Sequence, residues 1–201
     1  MANADRAFGL KPVKYLNGTP YNGKVTMYYH PSGGGIIGKN TVVTKGTTAD
    51  TLGNAPTCAA AGVTDSILGV AVGFGNTKNI AAYVTDLDKV YVASTDTAYI
   101  AVADDPDLLF EVQEDNASSA HLAAASVWLN CVLAGNSVST TTGMSTGELA
   151  SGGATTAYAS APLQLMGVVD RPDNVMGSSA DHTKWLVRIA DHIFQQPTTG
   201  S

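Results

Sequence analysis

The sequence predicts a mainly β protein, and three observations carry that prediction. Between Ile67 and Asp115, five apolar runs (ILGVAVGF, IAAYV, KVYVAS, AYIAVA and LLFEVQE) follow one another with only short polar or turn-forming breaks. Several of them alternate: Leu68, Val70, Val72 and Phe74 fall on one side of an extended chain, and Leu108, Phe110 and Val112 alternate with Leu109, Glu111 and Gln113. A period of two suits a half-buried strand, whose successive side chains point to opposite faces. No helical segment separates the runs, which therefore read as an antiparallel meander or barrel with at most one or two short helices elsewhere.

Taken in order, residues 1–24 read as an extended N-terminal arm. Pro12, Pro20, Gly9, Gly18 and Gly23 discourage helix, while Phe8, Leu10, Val13, Tyr15, Leu16 and Tyr21 are too apolar for a free tail. Such an arm either covers its own domain or latches a neighbour. A single β-rich body follows over 25–194. It opens with VTMYYHP (25–31), the break SGGG (32–35) and IIGKNTVVTKG (36–46), entered as a strand at Lys39–Asn40. Residues 47–65 are loop-like. Beyond the five runs, 117–125 reads as a short helix capped by Ser118 or Ser119, or as a loop leading into a strand at VWLNCVL (127–133). Residues 135–157, nearly all Gly, Ser, Thr, Asn and Ala, read as a long surface excursion or weakly ordered loop. Strands return at LQLMGVV (163–169) and WLVRIAD (185–191), where Trp185, Val187 and Ile189 share a face and Arg188 points outward. A flexible tail occupies 195–201.

Charge narrows the function. The chain of 201 residues carries a net charge of −6 with only 14% charged residues. So low a charge suits a surface packed against other copies, and equally a plain β domain. Residues 1–24 set Arg6, Lys11, Lys14 and Lys24 against Asp5 alone, whereas residues 86–115 hold nine acids against Lys89. The acidic body cannot neutralise a phosphate backbone, which argues against nucleic acid as a direct ligand. No signal peptide and no run of about 20 apolar residues is visible, so a cytosol-like place of synthesis and no membrane span are expected. Cys58 and Cys131 read as buried free thiols.

No motif implies a catalytic centre, cofactor or metal. His30, His121, His182 and His192 form neither HxH nor HExxH, no CxxC is present, and surface or loop positions are expected for all four. GxSxG is absent. GVAVGFG lacks the GxGxxG spacing and no helix follows, so its glycines read as bulge or close-packing positions. ADDPD (103–107) holds three carboxylates but not the calcium-loop spacing, and reads as a turn, as does DRPDN (170–174). Trp128 and Trp185 lie in apolar runs and are expected in the core.

Taken together, the opening MANADRAFGLKPVKYLNG, the core ILGVAVGFG…KVYVAS…DPDLLFEVQED and the late TTGMSTGEL…LQLMGVVDRPDN…KWLVRIADH resemble the head decoration, or cement, proteins of tailed bacteriophages. The resemblance implies a β-barrel or β-tulip-like body that caps local threefold sites of an icosahedral capsid as a homotrimer. It places the protein on the capsid outer surface of the virion after synthesis in the host cytoplasm, with the major capsid protein as partner and no enzymatic activity. Phe8, Leu10, Tyr15 and Leu16 would then dock in capsid grooves while Arg6, Lys11 and Lys14 meet acidic patches. A phage fibre or tail β protein that attaches to host glycans is the alternative, and an unfamiliar enzyme with a pocket gathering histidine and Asp or Ser is a second.

Overall fold

A computed structural model describes residues 3–75, 89–117, 121–155, 161–176 and 182–195. The expected strand at 80–84, the capping serines 118 and 119, and the tail beyond 195 lie outside the described residues. The fold is mainly β, with a 3-10 turn at Ala124–Ser126 among the described residues.

Two sheets dominate. In the first, β2 (Thr26–His30), β5 (Pro56–Ala60), β4 (Val42–Ala49), β6 (Gly69–Gly75) and β8 (Ala98–Ala103) close into a five-stranded barrel in that order. Four of its five pairings are antiparallel. Closure comes from a parallel pairing, with Tyr29 opposite Thr57, which an unbroken meander does not contain. The second is an open antiparallel sheet in the order β1 (Lys11–Tyr15), β9 (Leu108–Gln113), β12 (Lys184–Ile189), β11 (Leu163–Val168) and β10 (Asn130–Cys131). A small ladder joins β3 (Ile37–Gly38) to β7 (Tyr91–Val92).

The alternation read from the sequence holds in β9 and β12. Leu108, Phe110, Val112, Trp185, Val187 and Ile189 are all buried in one core. The opposite face of β9 is also covered, burying Leu109, Glu111 and Gln113: Arg171 lies on Glu111, and Asp5, Glu148 and His182 gather on Gln113. In β6 a register shift between Ala71 and Gly73 breaks the period. Val70 joins the core of the open sheet with Val72 packed against it, while Ala71 and Phe74 fill the barrel. A bulge inserts one residue into a strand and so exchanges its faces.

Four expectations are corrected. Residues 47–65 are not all loop, because Pro56–Ala60 forms the barrel strand β5, paired with β4 and β2. Residues 135–155 are ordered: Leu149 and Ser145 are fully buried, and Leu149 N–H donates to Gln113 O at 2.8 Å. Asn136 binds them to the barrel, accepting from Val42 N–H and donating to the Val42 and Ala61 carbonyls. Trp185 is fully buried as expected, but Trp128 is 65% exposed. At Trp128 φ is +72°, so the chain turns its indole away from the core while Trp128 N–H still reaches Leu165 O. Finally, His30 and His192 are buried, at 0% and 1% exposure.

Candidate functional site: a basic groove walled by the N-terminal segment

The N-terminal segment is extended, and it lies on its own body. β1 forms the edge of the open sheet beside β9, with Lys11 opposite Glu111 and Tyr15 opposite Leu108. Leu10 is fully buried in the main core. Asn40 acts as a rivet here. Its side chain donates to Phe8 O at 2.9 Å, its carbonyl accepts from Leu10 N–H at 3.1 Å, and its own N–H donates to Ala71 O at 2.7 Å. Asn40 sits at φ +65°, a conformation asparagine tolerates better than most residues. Gly9, at φ +71°, leaves no room for a side chain, which would meet Asn40 O and Ser145.

This anchoring builds one wall of a groove of about 690 Å³ between the N-terminal segment, the barrel and the open sheet. Phe8, Pro12, Tyr21, Val25, Val72 and Met144 give it an apolar lining. Arg6, Lys11, Lys39, Arg171 and Lys184 line it as well, against Glu111 as its one carboxylate. Arg171 grips that carboxylate at 2.7 Å and also reaches Asp173 at 3.3 Å. Lys184 is only 7% exposed, and its side chain makes no hydrogen bond or ion pair among the described residues. An ammonium at the groove wall without a counter-ion favours an anionic partner. In a chain of net charge −6, the groove is a local reversal of sign.

Of the residues singled out in the sequence, Arg6, Phe8 and Lys11 line the groove together. Leu10 has no surface left to offer a partner, which removes it as a docking anchor. Lys14, Tyr15 and Leu16 lie further along the segment and outside the groove. Tyr15 packs against Tyr21 with ring centroids 6.5 Å apart, and Leu16 is 41% exposed. Lys39, Arg171 and Lys184 were not legible as site residues, because only the folded chain brings positions 6, 39, 171 and 184 together.

Two smaller hollows bear on catalysis. One, of about 320 Å³, gathers Ser66, Asp191 and His192. Its wiring does not suit nucleophile activation: the Ser66 hydroxyl donates to Asp191 at 2.8 Å, and His192 Nδ1 accepts from Phe194 N–H, leaving no Nδ1–H for a carboxylate to orient. The other, of about 290 Å³, contains Tyr99, whose hydroxyl donates to Asp50 at 2.8 Å. Burial, then that bond, pushes the Tyr99 phenol up to about 12, while the same bond holds Asp50 below its usual range. This pair keeps its proton and reads as a structural tie. Glu114, raised above the usual carboxylate range by burial, accepts from Leu122 N–H and the Trp185 indole with His121 at 3.5 Å, inside the core.

No family model matches the chain, and neither the curated proteins nor the solved structures contain a match. Among the described residues no helix is long and apolar enough to cross a membrane.

Proposed function

We propose that the protein is a structural component of a tailed-phage virion that decorates the capsid, binding as a homotrimer at local threefold sites and stabilising the shell. The single observation supporting this most strongly is the groove. It combines an apolar lining with five cations and one paired carboxylate, a composition suited to holding a protein segment that carries acidic and apolar side chains. The partner segment is an extended stretch of the major capsid protein carrying carboxylates beside apolar side chains. The N-terminal segment contributes as a fixed wall through Arg6, Phe8 and Lys11. A protein that binds only the assembled lattice stabilises it by mass action, and three copies on one axis add through effective concentration.

The test is co-sedimentation with undecorated shells. Wild type should bind, and Lys11→Glu combined with Lys39→Glu should weaken binding at least tenfold with the fold retained, since both side chains line the groove. Undiminished decoration by this variant contradicts the reading. Light scattering should give about three times 20.6 kDa for a trimer formed before docking.

One observation favours the fibre or tail alternative. The exposed Trp128 indole, fixed by its backbone bond to Leu165, is the kind of aromatic platform on which sugars stack. Glycan-array binding that disappears in Trp128→Ala, together with no affinity for shells, would favour attachment over decoration.

A further inference from the structure

We propose that Asn22–Gly23 is a site of spontaneous deamidation, and that its product loosens the groove's hold on an acidic partner. The chain contains two Asn-Gly dipeptides, Asn17–Gly18 and Asn22–Gly23, both between Lys14 and Lys24. Asparagine before glycine is open to this reaction because no side chain hinders the glycine nitrogen as it approaches the asparagine carboxamide. The step needs only water. The Gly23 nitrogen gives up its proton to solvent and bonds to Asn22 Cγ, the Cγ–Nδ2 bond breaks, and Nδ2 departs as ammonia. The succinimide so formed takes up one water. It opens to aspartate or, where the bond from nitrogen to the α-carbonyl breaks, to isoaspartate.

Asn17–Gly18 serves as an internal reference. Both dipeptides are exposed. Both glycines have nearly the same φ, +87° at Gly18 and +86° at Gly23, with no atom within 4 Å of where a Cβ would stand. The electrophiles are matched too. Asn17 Oδ1 accepts from Thr19 N–H at 2.9 Å, and Asn22 Oδ1 from Lys24 N–H at 3.2 Å and the Tyr15 hydroxyl at 3.5 Å. Such donors stabilise the oxyanion that forms as nitrogen attacks. The attacking nitrogens differ. Gly18 N–H donates to Tyr15 O at 2.9 Å, inside a turn that Tyr15 N–H also closes on Thr19 O at 2.8 Å. Neither Asn22 nor Gly23 makes a backbone–backbone hydrogen bond among the described residues. The Gly18 nitrogen must break a bond before it can attack, whereas the Gly23 nitrogen starts free.

The consequence follows from position. Tyr21 and Gly23, on either side of Asn22, both line the groove. Deamidation sets a carboxylate at the rim of a site whose five cations attract acidic chain. Isoaspartate also adds a methylene to the main chain between Tyr21 and Lys24, a stretch the Tyr21 hydroxyl spans by donating to Lys24 O at 3.1 Å. The effect on binding rests on the proposed function; the reaction does not.

Full-length protein is aged in mildly alkaline buffer, and the tryptic peptide 15–24, which carries both dipeptides, is read by electron-transfer fragmentation. Asn22 should convert about fivefold or more faster than Asn17, the factor one backbone hydrogen bond supplies, and urea-unfolded protein should lose this preference. Equal conversion of the two in folded protein, faster conversion at Asn17, or none at Asn22 overturns the site. Shell co-sedimentation then compares unaged and aged wild type with Asn22→Asp and Asn22→Gln. Aged wild type and Asn22→Asp should bind about threefold or more weakly, as one added charge near the cations requires. Asn22→Gln should bind like unaged wild type before and after ageing. Undiminished binding by Asn22→Asp overturns the coupling to the groove. Failure of unaged wild type to bind shells overturns the decoration reading alone, because the site is read by mass.

Discussion

The barrel and the open sheet solve the same problem differently. In the barrel, β2, β5, β4, β6 and β8 close on themselves, so each backbone edge finds another strand and the interior is filled by side chains such as Ile100, Phe74 and Val43. The open sheet cannot close, and side-chain amides secure what surrounds it. Asn174 takes hold of Val169 O and both backbone groups of Lys184, Gln113 reaches the N-terminal segment and Glu148, and Asn40 and Asn136 tie the irregular segments to the barrel. The barrel is a scaffold fixed by hydrophobic packing, whereas the groove stands where side-chain amides hold irregular chain in place.

The largest expected effect breaks the sheet's core. Trp185→Ala should cost about 4 kcal/mol in urea unfolding, from the cavity it leaves and the indole donor lost to Glu114. Leu10→Ala comes next, at about 3 kcal/mol, because Leu10 is a core residue; a loss below about 0.5 kcal/mol would detach the N-terminal segment from the fold. Asn136→Ala should cost about 2 kcal/mol, since it strands the backbone groups of Val42 and the carbonyl of Ala61. Polar truncations inside the barrel should cost less, and that contrast would sharpen the comparison.

A smaller effect concerns pH. Burial lowers the His192 pKa below its ordinary 6.5, partly offset by Asp104 and Asp105. The unfolded chain then binds the proton more readily than the folded one, so this contribution is present above about pH 6.5 and is lost as pH falls towards the folded value. Urea midpoints of His192→Gln should therefore fall less steeply than wild type between pH 7 and 5. The smallest effect is chemical. Burial pushes the Cys58 and Cys131 thiols up to about 12, so both should resist a thiol reagent at neutral pH until the protein is unfolded.

Strands such as β9 and β12 were legible because alternation along one strand is a local record of which face is buried. The burial of Trp185 followed from the same pattern, whereas that of Cys58 and Cys131 followed from the ordinary preference of free thiols for the interior. The groove was half legible. Arg6, Phe8 and Lys11 stood out in a basic, apolar leader, but their partners lie up to 178 positions away at Lys184. Residues 135–155 looked unstructured because their order depends on single contacts, such as Asn136 to Val42 across 94 positions, and composition does not record them. Trp128 misled for a related reason: one left-handed residue reverses the side chain without altering the apolar run around it.

The account rests on the N-terminal segment being a fixed wall of the groove before any partner arrives. Residue-resolved hydrogen exchange on the free protein tests this most directly. Leu10 N–H, bonded to Asn40 O, and Leu16 N–H, bonded to Asp107 O, should be protected, with Leu10 approaching the level of neighbouring β9 amides. Exchange of both at the rate of an unstructured peptide, with protection gained only on binding shells, would contradict it and restore a free arm.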